Sequence, residues 1–339
     1  MYSGPRMNIL LYPYSLGSRA VSRVKDKLFQ AGLFASKRVG LKVVSVGNIS
    51  LGGTGKTPLV LEIIKHLQAE GVRTALVTRG YLGRWEKHGG ILSDGQTLFG
   101  RWQDSGDEPF MIARNAPGAG VFVGRNRLRS CRIAKVKGFA AAVLDDGFQH
   151  RKLRRDLDIV LYNPKEKILR EPTGALSRAQ AVLLPEAESQ DREFLARRFP
   201  KARIFSYTVV SKGLVKVGGK HPAAPAAEFR GQPAMAFCGI ARPQRFFDLL
   251  QSQGLELTGM MTFRDHHPYP ESTLNTILLR YRQLNPRLAV TTEKDAVKLA
   301  EYPGLLQELP LYYLKIGLRI EPGFFDMVRG AVRRGERHR

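Results

Sequence analysis

Short apolar runs punctuate the chain at intervals that leave room for a helix between them. Lys42 to Val46, Thr74 to Thr78, Val121 to Gly124, Phe139 to Leu144, Leu157 to Tyr162 and Ala181 to Leu184 are four to six residues long. Runs this short and this uniformly apolar read as strands buried on both faces. Helical patterns alternate with them, which predicts a mostly parallel sheet flanked by helices. From Phe205 to Ala227 the texture changes to Val/Lys/Gly alternation followed by Pro222, Pro225 and several alanines, the pattern of a β-ribbon linker rather than of core. A second βα series follows, with strands at Ala234 to Cys238, Leu255 to Met260 and Leu288 to Thr292 and helices at Pro243 to Leu250 and Ser272 to Leu284. Leu311 to Leu318 is again extended, and a helix from about Pro322 is predicted to cross back to the first series. The expected organisation is an N-terminal segment 1–35, a first domain 36–208, a linker 209–230, a smaller α/β domain 231–308, and a returning strand and helix 309–339.

Tyr14 to Phe34 can be written as an amphipathic helix. Val21, Val24 and Leu28 share one face, and Arg19, Arg23 and Lys27 recur at i, i+4 and i+8 on another. Two placements fit that pattern: a helix lying in an anionic interface, or an ordinary surface helix docked on the core.

Composition narrows the class. In 339 residues, 43% are hydrophobic, so a sizeable core is available, and no run approaches the roughly 18 apolar residues of a membrane-crossing helix. Nor does the beginning of the chain read as a secretory signal. Cys131 and Cys238, the two cysteines, show no metal-site spacing and exclude a disulfide framework, which implies a reducing compartment. The 54 Lys and Arg against 30 Asp and Glu give a formal charge of +24, which calls for a polyanionic partner: nucleic acid, anionic lipid or a phosphorylated substrate. Residues 1–50 alone hold eight Lys/Arg and one acid, Asp26, and a second basic stretch runs through Arg125, Arg127, Arg129, Arg132, Lys135 and Lys137.

The strongest chemical signal is Ser50-Leu51-Gly52-Gly53-Thr54-Gly55-Lys56-Thr57, set between the strand at Lys42 to Val46 and a helix. Successive N–H groups of such a glycine-rich turn form an anion nest, and the helix N-terminus adds its partial positive charge. Gly52, Gly53, Thr54 and Gly55 would cradle the phosphates of ATP, Lys56 would reach the β and γ phosphates, and the Thr57 hydroxyl would ligate Mg2+. Ser50 stands where a strict P-loop pattern has its first glycine. Pro58 suits the first turn of the helix, whose apolar face is Val60, Ile63, Ile64 and Leu67, and Gly71 ends it. The fold expected is thus P-loop NTPase-like, with the smaller α/β domain joined to it by the ribbon.

Asp145-Asp146 ends the apolar run Phe139 to Leu144, at the strand terminus where an NTPase places its second magnesium acid. Adjacent strand residues point to opposite faces, so one carboxylate faces the loop unless the chain turns at Gly147. Candidate acids and bases are Asp107-Glu108-Pro109, also a plain helix start, and Asp265-His266-His267-Pro268. Neighbouring histidines are not spaced as zinc ligands are, so no zinc is predicted.

In order along the chain, Ser45 to Pro58, Gly106-Asp107-Glu108-Pro109, Asp145-Asp146-Gly147-Phe148-Gln149-His150, Leu169-Arg170-Glu171-Pro172, Phe237-Cys238-Gly239-Ile240, Phe263-Arg264-Asp265-His266-His267 and Thr291-Thr292-Glu293-Lys294-Asp295 resemble the motifs of one family, the tetraacyldisaccharide 4'-kinases that phosphorylate the lipid A precursor in Gram-negative bacteria. The match covers nearly the whole chain. In that family the loop begins upstream with the pair that is Gly47-Asn48 here and needs no glycine at position 50. The resemblance implies transfer of the γ-phosphate of ATP to the 4'-hydroxyl of tetraacyldisaccharide 1-phosphate, by an enzyme held peripherally at the cytoplasmic face of the inner membrane. It implies Lys56 and Thr57 on phosphate and Mg2+, Asp145 or Asp146 as the further magnesium acid, and Asp107 as the base, with His266 its partner. It makes Arg170 a clamp on phosphate, with Glu108 and Asp265 orienting their neighbours. ATP, Mg2+, an anionic lipid and a membrane surface are the expected partners. Competing readings are a P-loop nucleotide switch or nucleic-acid-stimulated ATPase, and a small-molecule kinase whose basic charge is incidental. No RNP-like, helix-turn-helix or interleaved basic and aromatic pattern supports a nucleic-acid partner.

Overall fold

Strand β1 (Lys42–Asn48) is buried almost throughout, and everything that carries chemistry is arranged around its C-terminal end. The protein is described by a computed structural model covering residues 15–22, 24, 27–29, 31–50, 55–219 and 222–333. Gly52, Gly53 and Thr54 of the phosphate loop lie outside the described residues, as do Arg23 and the terminal Arg334, Arg337 and Arg339.

In chain order, residues 15–22 are helical (α1); after β1 come α2 (Lys56–Ala69), β2 (Thr74–Thr78), α3 (Trp85–His88), β3 (Gly90–Asp94), α4 (Trp102–Ser105), α5 (Asp107–Asn115), β4 (Gly120–Val123), α6 (Arg127–Val136), β5 (Ala141–Asp145), β6 (Leu157–Leu161), β7 (Ala181–Pro185), α7 (Arg192–Arg198) and β8 (Arg203–Lys216). The second series is β9 (Pro233–Cys238), α8 (Pro243–Ser252), β10 (Glu256–Thr262), α9 (Glu271–Leu284), β11 (Leu288–Thr292), α10 (Glu293–Leu299), α11 (Pro303–Glu308), β12 (Leu311–Ile320) and α12 (Phe324–Arg333). All twelve strands join one sheet in the order β10-β9-β11-β12-β8-β7-β6-β1-β5-β2-β4-β3. It is parallel except where β3 meets β4 and where β8 meets β12.

The β8–β12 pair decides the geometry. The stretch read as a ribbon outside the core is instead the middle of the sheet, because β8 pairs in parallel with β7 through Arg203–Tyr207 and then runs on to pair with β12 as far as Lys216. It is a ribbon in its antiparallel pairing, with bulk sheet on either side. Since β12 opposes β8 and β11 and β9 follow β12, the second strand series points back toward the first. Its start is displaced along β8, from the 203–207 region to the 214–216 region, a rise of roughly 3.3 Å per residue. The C-terminal edges of the two series therefore face each other, and it is at such edges that α/β sheets bind ligands.

The terminal helix returns as predicted. Phe324, Val328 and Val332 of α12 pack into the cluster that also holds Val44 and Val46 of β1 and Ile63, Ile64 and Leu67 of α2. Arg329 and Arg333 reach Glu70 just past the end of α2. At the other terminus, α1 turns its serines inward. Ser15 Oγ donates to the Leu169 carbonyl, Ser18 Oγ to the Arg170 carbonyl (2.8 Å) and Ser22 Oγ to Glu171 Oε2 (3.1 Å). Val21 (54%) and Val24 (58%) are left exposed beside Leu16, Leu33 and Phe34. The helix is thus docked on the core through its serines, with Leu16, Val21 and Val24 facing outward.

Candidate functional site

Four segments converge between the opposed edges. Gly55, with φ of 77°, takes the left-handed conformation that a glycine accepts without strain and opens α2. Lys56, the first residue of that helix, extends its Nζ to Asn48 Oδ1 (3.1 Å) and Asp146 Oδ1 (3.0 Å). Thr57 Oγ1 donates to Glu108 Oε2 at 3.2 Å. Below the loop, Gly47 is pressed against Phe148: a Cβ there would lie 2.5 Å from the Phe148 Cβ and 3.0 Å from its backbone nitrogen.

The Asp pair does not split across the strand in the ordinary alternating way. Asp145 ends β5, and Asp146 already leaves it with φ of 52°, so that the turn is complete when the Gly147 N–H donates to the Val46 carbonyl. Both carboxylates consequently lie near Lys56. Asp146 is half-exposed; desolvation opposes its charge, but Lys56 and Arg170 outweigh that and hold its pKa well below the ordinary carboxylate range. Asp145, by contrast, is buried; among the described residues it receives only the Thr78 hydroxyl (3.4 Å), and its Oδ1 has no hydrogen-bond partner. Burial first, then the negative charge of Glu108, push its pKa up to about 7.

Arg170 belongs to this cluster rather than to a separate subsite. Its Nη1 and Nη2 bond both oxygens of Asp146 (3.1 and 2.9 Å), Nη2 also reaches Asn48 Oδ1, and Nε donates to the Ser50 carbonyl (3.2 Å). Its own backbone is tied to the Ile49 carbonyl.

The second group crosses from one strand series to the other. Asp107 starts α5 and is buried; His266 Nδ1 lies 3.0 and 3.1 Å from its two oxygens. Burial would raise the Asp107 pKa, yet the hydrogen bond from His266 and the charges of Lys294 and Lys298 bring it down to about 2. His266 sits at φ of 59°, and that turn sends its neighbour elsewhere. His267 bonds Thr273 Oγ1 (3.0 Å) and stacks on Phe263, so of the two histidines only His266 reaches Asp107. Asp265 ion-pairs with Lys294 at 2.8 Å. Lys294 also approaches Glu108 (3.5 Å) and His266 Nε2 (3.1 Å).

Three cations escaped the sequence reading as site residues. Lys294 stood in a motif without a role, Lys298 was unremarked, and Arg127 was read as one member of a basic stretch. Arg127 is instead buried at the start of α6, where burial lowers its pKa against the opposing pull of Asp146 and Asp145. The available signal was positional: lysines at i and i+4 on the helix that begins where β11 ends.

The residues fit ATP and a divalent cation. Asp107, Glu108 and His266 bring ligand atoms within 4.8 Å of one another, but the ammonium groups of Lys294 and Lys298 already lie against them. The better fit for a hard cation is Asp145, whose Oδ1 has no hydrogen-bond partner among the described residues and is an oxygen donor of the kind magnesium takes; the Asp146 oxygens would join it on release from Lys56 and Arg170.

Residues 7–333 match the family described as Tetraacyldisaccharide-1-P 4'-kinase (LpxK). A tetraacyldisaccharide 4'-kinase of Pelobacter propionicus is 37% identical over 86% of this chain and 82% of its own length, and one of Desulfatibacillum aliphaticivorans is 33% identical over 99% and 97%. Among solved structures, LpxK from Aquifex aeolicus in complex with ATP superposes with a TM-score of 0.76 at 27% identity, covering 97% of this chain and 99% of that one.

Proposed function

The chain belongs to the tetraacyldisaccharide-1-phosphate 4'-kinase family, and on that premise we propose how its residues divide the work. The enzyme is an ATP-dependent lipid kinase that moves the γ-phosphate of ATP to the 4'-hydroxyl of tetraacyldisaccharide 1-phosphate, in lipid A biosynthesis. Family and relatives favour this over a nucleotide switch or a nucleic-acid-stimulated ATPase.

Asp107 is the group that accepts the hydroxyl proton, with His266 as its partner. The observation that carries this reading is the link Asp107–Glu108–Thr57: the carboxylate paired with His266 is followed directly in sequence by the one that bonds the phosphate helix. A low pKa suits a loose phosphoryl-transfer step, in which the acceptor sheds its proton late and the base must above all be ionised and aligned. Lys56 neutralises phosphate oxygens after exchanging Asp146 for them, and Arg170, fixed on Asp146 and the loop carbonyl of Ser50, holds that surface rigid. Thr57, Asp145 and Asp146 would hold Mg2+, which supplies charge neutralisation at the phosphates. Residues 36–208 and 231–308 act as two bodies that close over both substrates, hinging on β8 and β12, where the register shifts between Leu314 and Ile316.

A lipid substrate supports a peripheral position at a membrane surface. No helix among the described residues is long and apolar enough to cross a membrane, whereas the outward apolar residues of α1 and its following turn suit shallow insertion at the cytoplasmic face.

The test incubates the purified protein with Mg-ATP and detergent-dispersed tetraacyldisaccharide 1-phosphate and seeks one added phosphate by mass spectrometry. Lys56→Ala is expected to give no product while keeping its fold. Asp107→Ala is expected to lose turnover far more than ATP affinity; near-normal turnover would remove Asp107 from the role of base.

A further inference from the structure

We propose that Lys298 is a positioning residue for phosphoryl transfer: its enclosed ammonium, held between Asp295 and Asp107, sets the plane of the Asp107 carboxylate. The inference rests on the reading of Asp107 as proton acceptor. Lys298 is fully buried, with Nζ 3.1 Å from Asp295 Oδ1, 3.3 Å from Asp107 Oδ2 and 5.3 Å above the centre of the Tyr269 ring.

Its anchor is firm. Asp295 Oδ2 accepts the Gly239 N–H (2.9 Å) and the Thr292 hydroxyl (2.7 Å), and the Asp295 N–H returns a bond to Thr292 Oγ1 (3.2 Å), closing the first turn of α10 onto the ends of β9 and β11. Asp295 Oδ1 has the ammonium as its ion-pair partner and no hydrogen bond besides. A buried lysine must have its charge matched, and Asp295, three residues earlier on the same helix, already does that. The second carboxylate comes from the opposite strand series, and the fold has no need of it.

What it does for Asp107 follows from the remaining contacts. His266 Nδ1 is nearly equidistant from both oxygens, so it attracts the carboxylate without fixing its rotation. Rotation is set by two asymmetric contacts: the Glu108 N–H on Oδ1 (2.9 Å) and Lys298 on Oδ2. The other charged groups around the pair, Lys294, Asp265 and Glu108, meet His266 or one another; Lys298 is the cation that touches Asp107 itself.

The experiment measures single-turnover and steady-state kinetics of the full chain for Lys298→Met, Asp107→Asn and the double variant. Lys298→Met is expected to lower kcat on the order of 100-fold, the scale of a misaligned catalytic group, while KM for ATP stays within roughly two-fold, because ground-state binding is untouched. Added to Asp107→Asn, it should cause no further loss, since its action runs through Asp107. Lys298→Met/Asp295→Asn removes the anchor's charge together with the lysine and gives the same readouts if the single variant does not fold. Wild-type kcat in Lys298→Met, or losses that multiply in the double variant, would overturn the inference while leaving Asp107 as the base. Near-normal turnover in Asp107→Asn would overturn both.

Discussion

Asp145 sits where its charge is unwelcome, and with its proposed role as a magnesium acid, replacing it with Asn should make the ligand-free protein more stable while abolishing activity. The carboxylate is buried with one weak donor and an orphaned oxygen, and burial together with Glu108 lifts its pKa from 3.8 to about 7. The folded chain therefore binds that proton more tightly than the unfolded one, by about 4 kcal/mol at 1.36 kcal/mol per pH unit. The sign follows from linkage. Between about pH 4 and 7 the folded form keeps a proton that the unfolded form has shed, so stability declines as pH rises, and above 7 the whole penalty is present. Asn does not ionise and escapes the decline. Between pH 5 and 8 the stability advantage of Asp145→Asn over the wild type should thus grow by about 3 kcal/mol. Urea denaturation midpoints at pH 5, 6, 7 and 8, in chelator and without nucleotide, provide the measurement. Mg-ATP should stabilise the wild type and not the variant, because only the wild type retains the carboxylate. Two stability curves that stay parallel from pH 5 to 8 would refute the argument, and so would a variant less stable at pH 8.

Other consequences are direct. Phe324→Ala empties a buried site in the cluster that supports β1 and α2 and should cost about 3–5 kcal/mol, whereas Arg333→Ala, removing a half-exposed ion pair with Glu70, should cost under about 1 kcal/mol; thermal denaturation that reverses this order would deny α12 its apolar role. Gly47→Ala forces a methyl into Phe148 and its backbone, so a loss of about 1–3 kcal/mol is expected, with ATP affinity falling as the Asp145–Phe148 turn shifts; a variant with unaltered stability and nucleotide binding would contradict the close approach. Deleting residues 1–35 should weaken vesicle binding and raise KM for the lipid while KM for ATP holds, and unchanged partitioning would count against interfacial insertion by α1.

The sheet was legible because its strands are buried on both faces and so read as unbroken apolar runs: β2 and β11 were located to the residue, and β1, β5, β6 and β7 to within about two. β3 was missed, as an edge strand only partly buried, with a register shift in its pairing. β8 was read as a linking ribbon and not as part of the sheet for a related reason. Its middle is half-exposed, Gly213 takes a positive φ, and its partner β12 begins almost a hundred residues downstream, so nothing local marks it as central. In the site, motif residues were readable because glycine, aspartate and histidine have few bland uses at strand ends. Lysines on a helix have many. Only the fold shows that Lys294 and Lys298 face inward from α10 toward a helix nearly two hundred residues away.

That inward face ties the reversal of the second strand series to the chemistry. If β9, β10 and β11 ran in the direction of β1, the loop bearing His266 and the start of α10 would leave from the edge remote from the phosphate loop. Because β8 and β12 are antiparallel, both instead approach the start of α5 from across the cleft. The Asp107 carboxylate is then assembled from both series, with its backbone on one and its imidazole and ammonium partners on the other. Among the described residues, separating the two would leave Asp107 with the Glu108 N–H as its remaining hydrogen-bond partner. With Asp107 as the proposed proton acceptor, a carboxylate built this way would be aligned only while the halves are together, which would restrain transfer of the γ-phosphate to water when the lipid is absent.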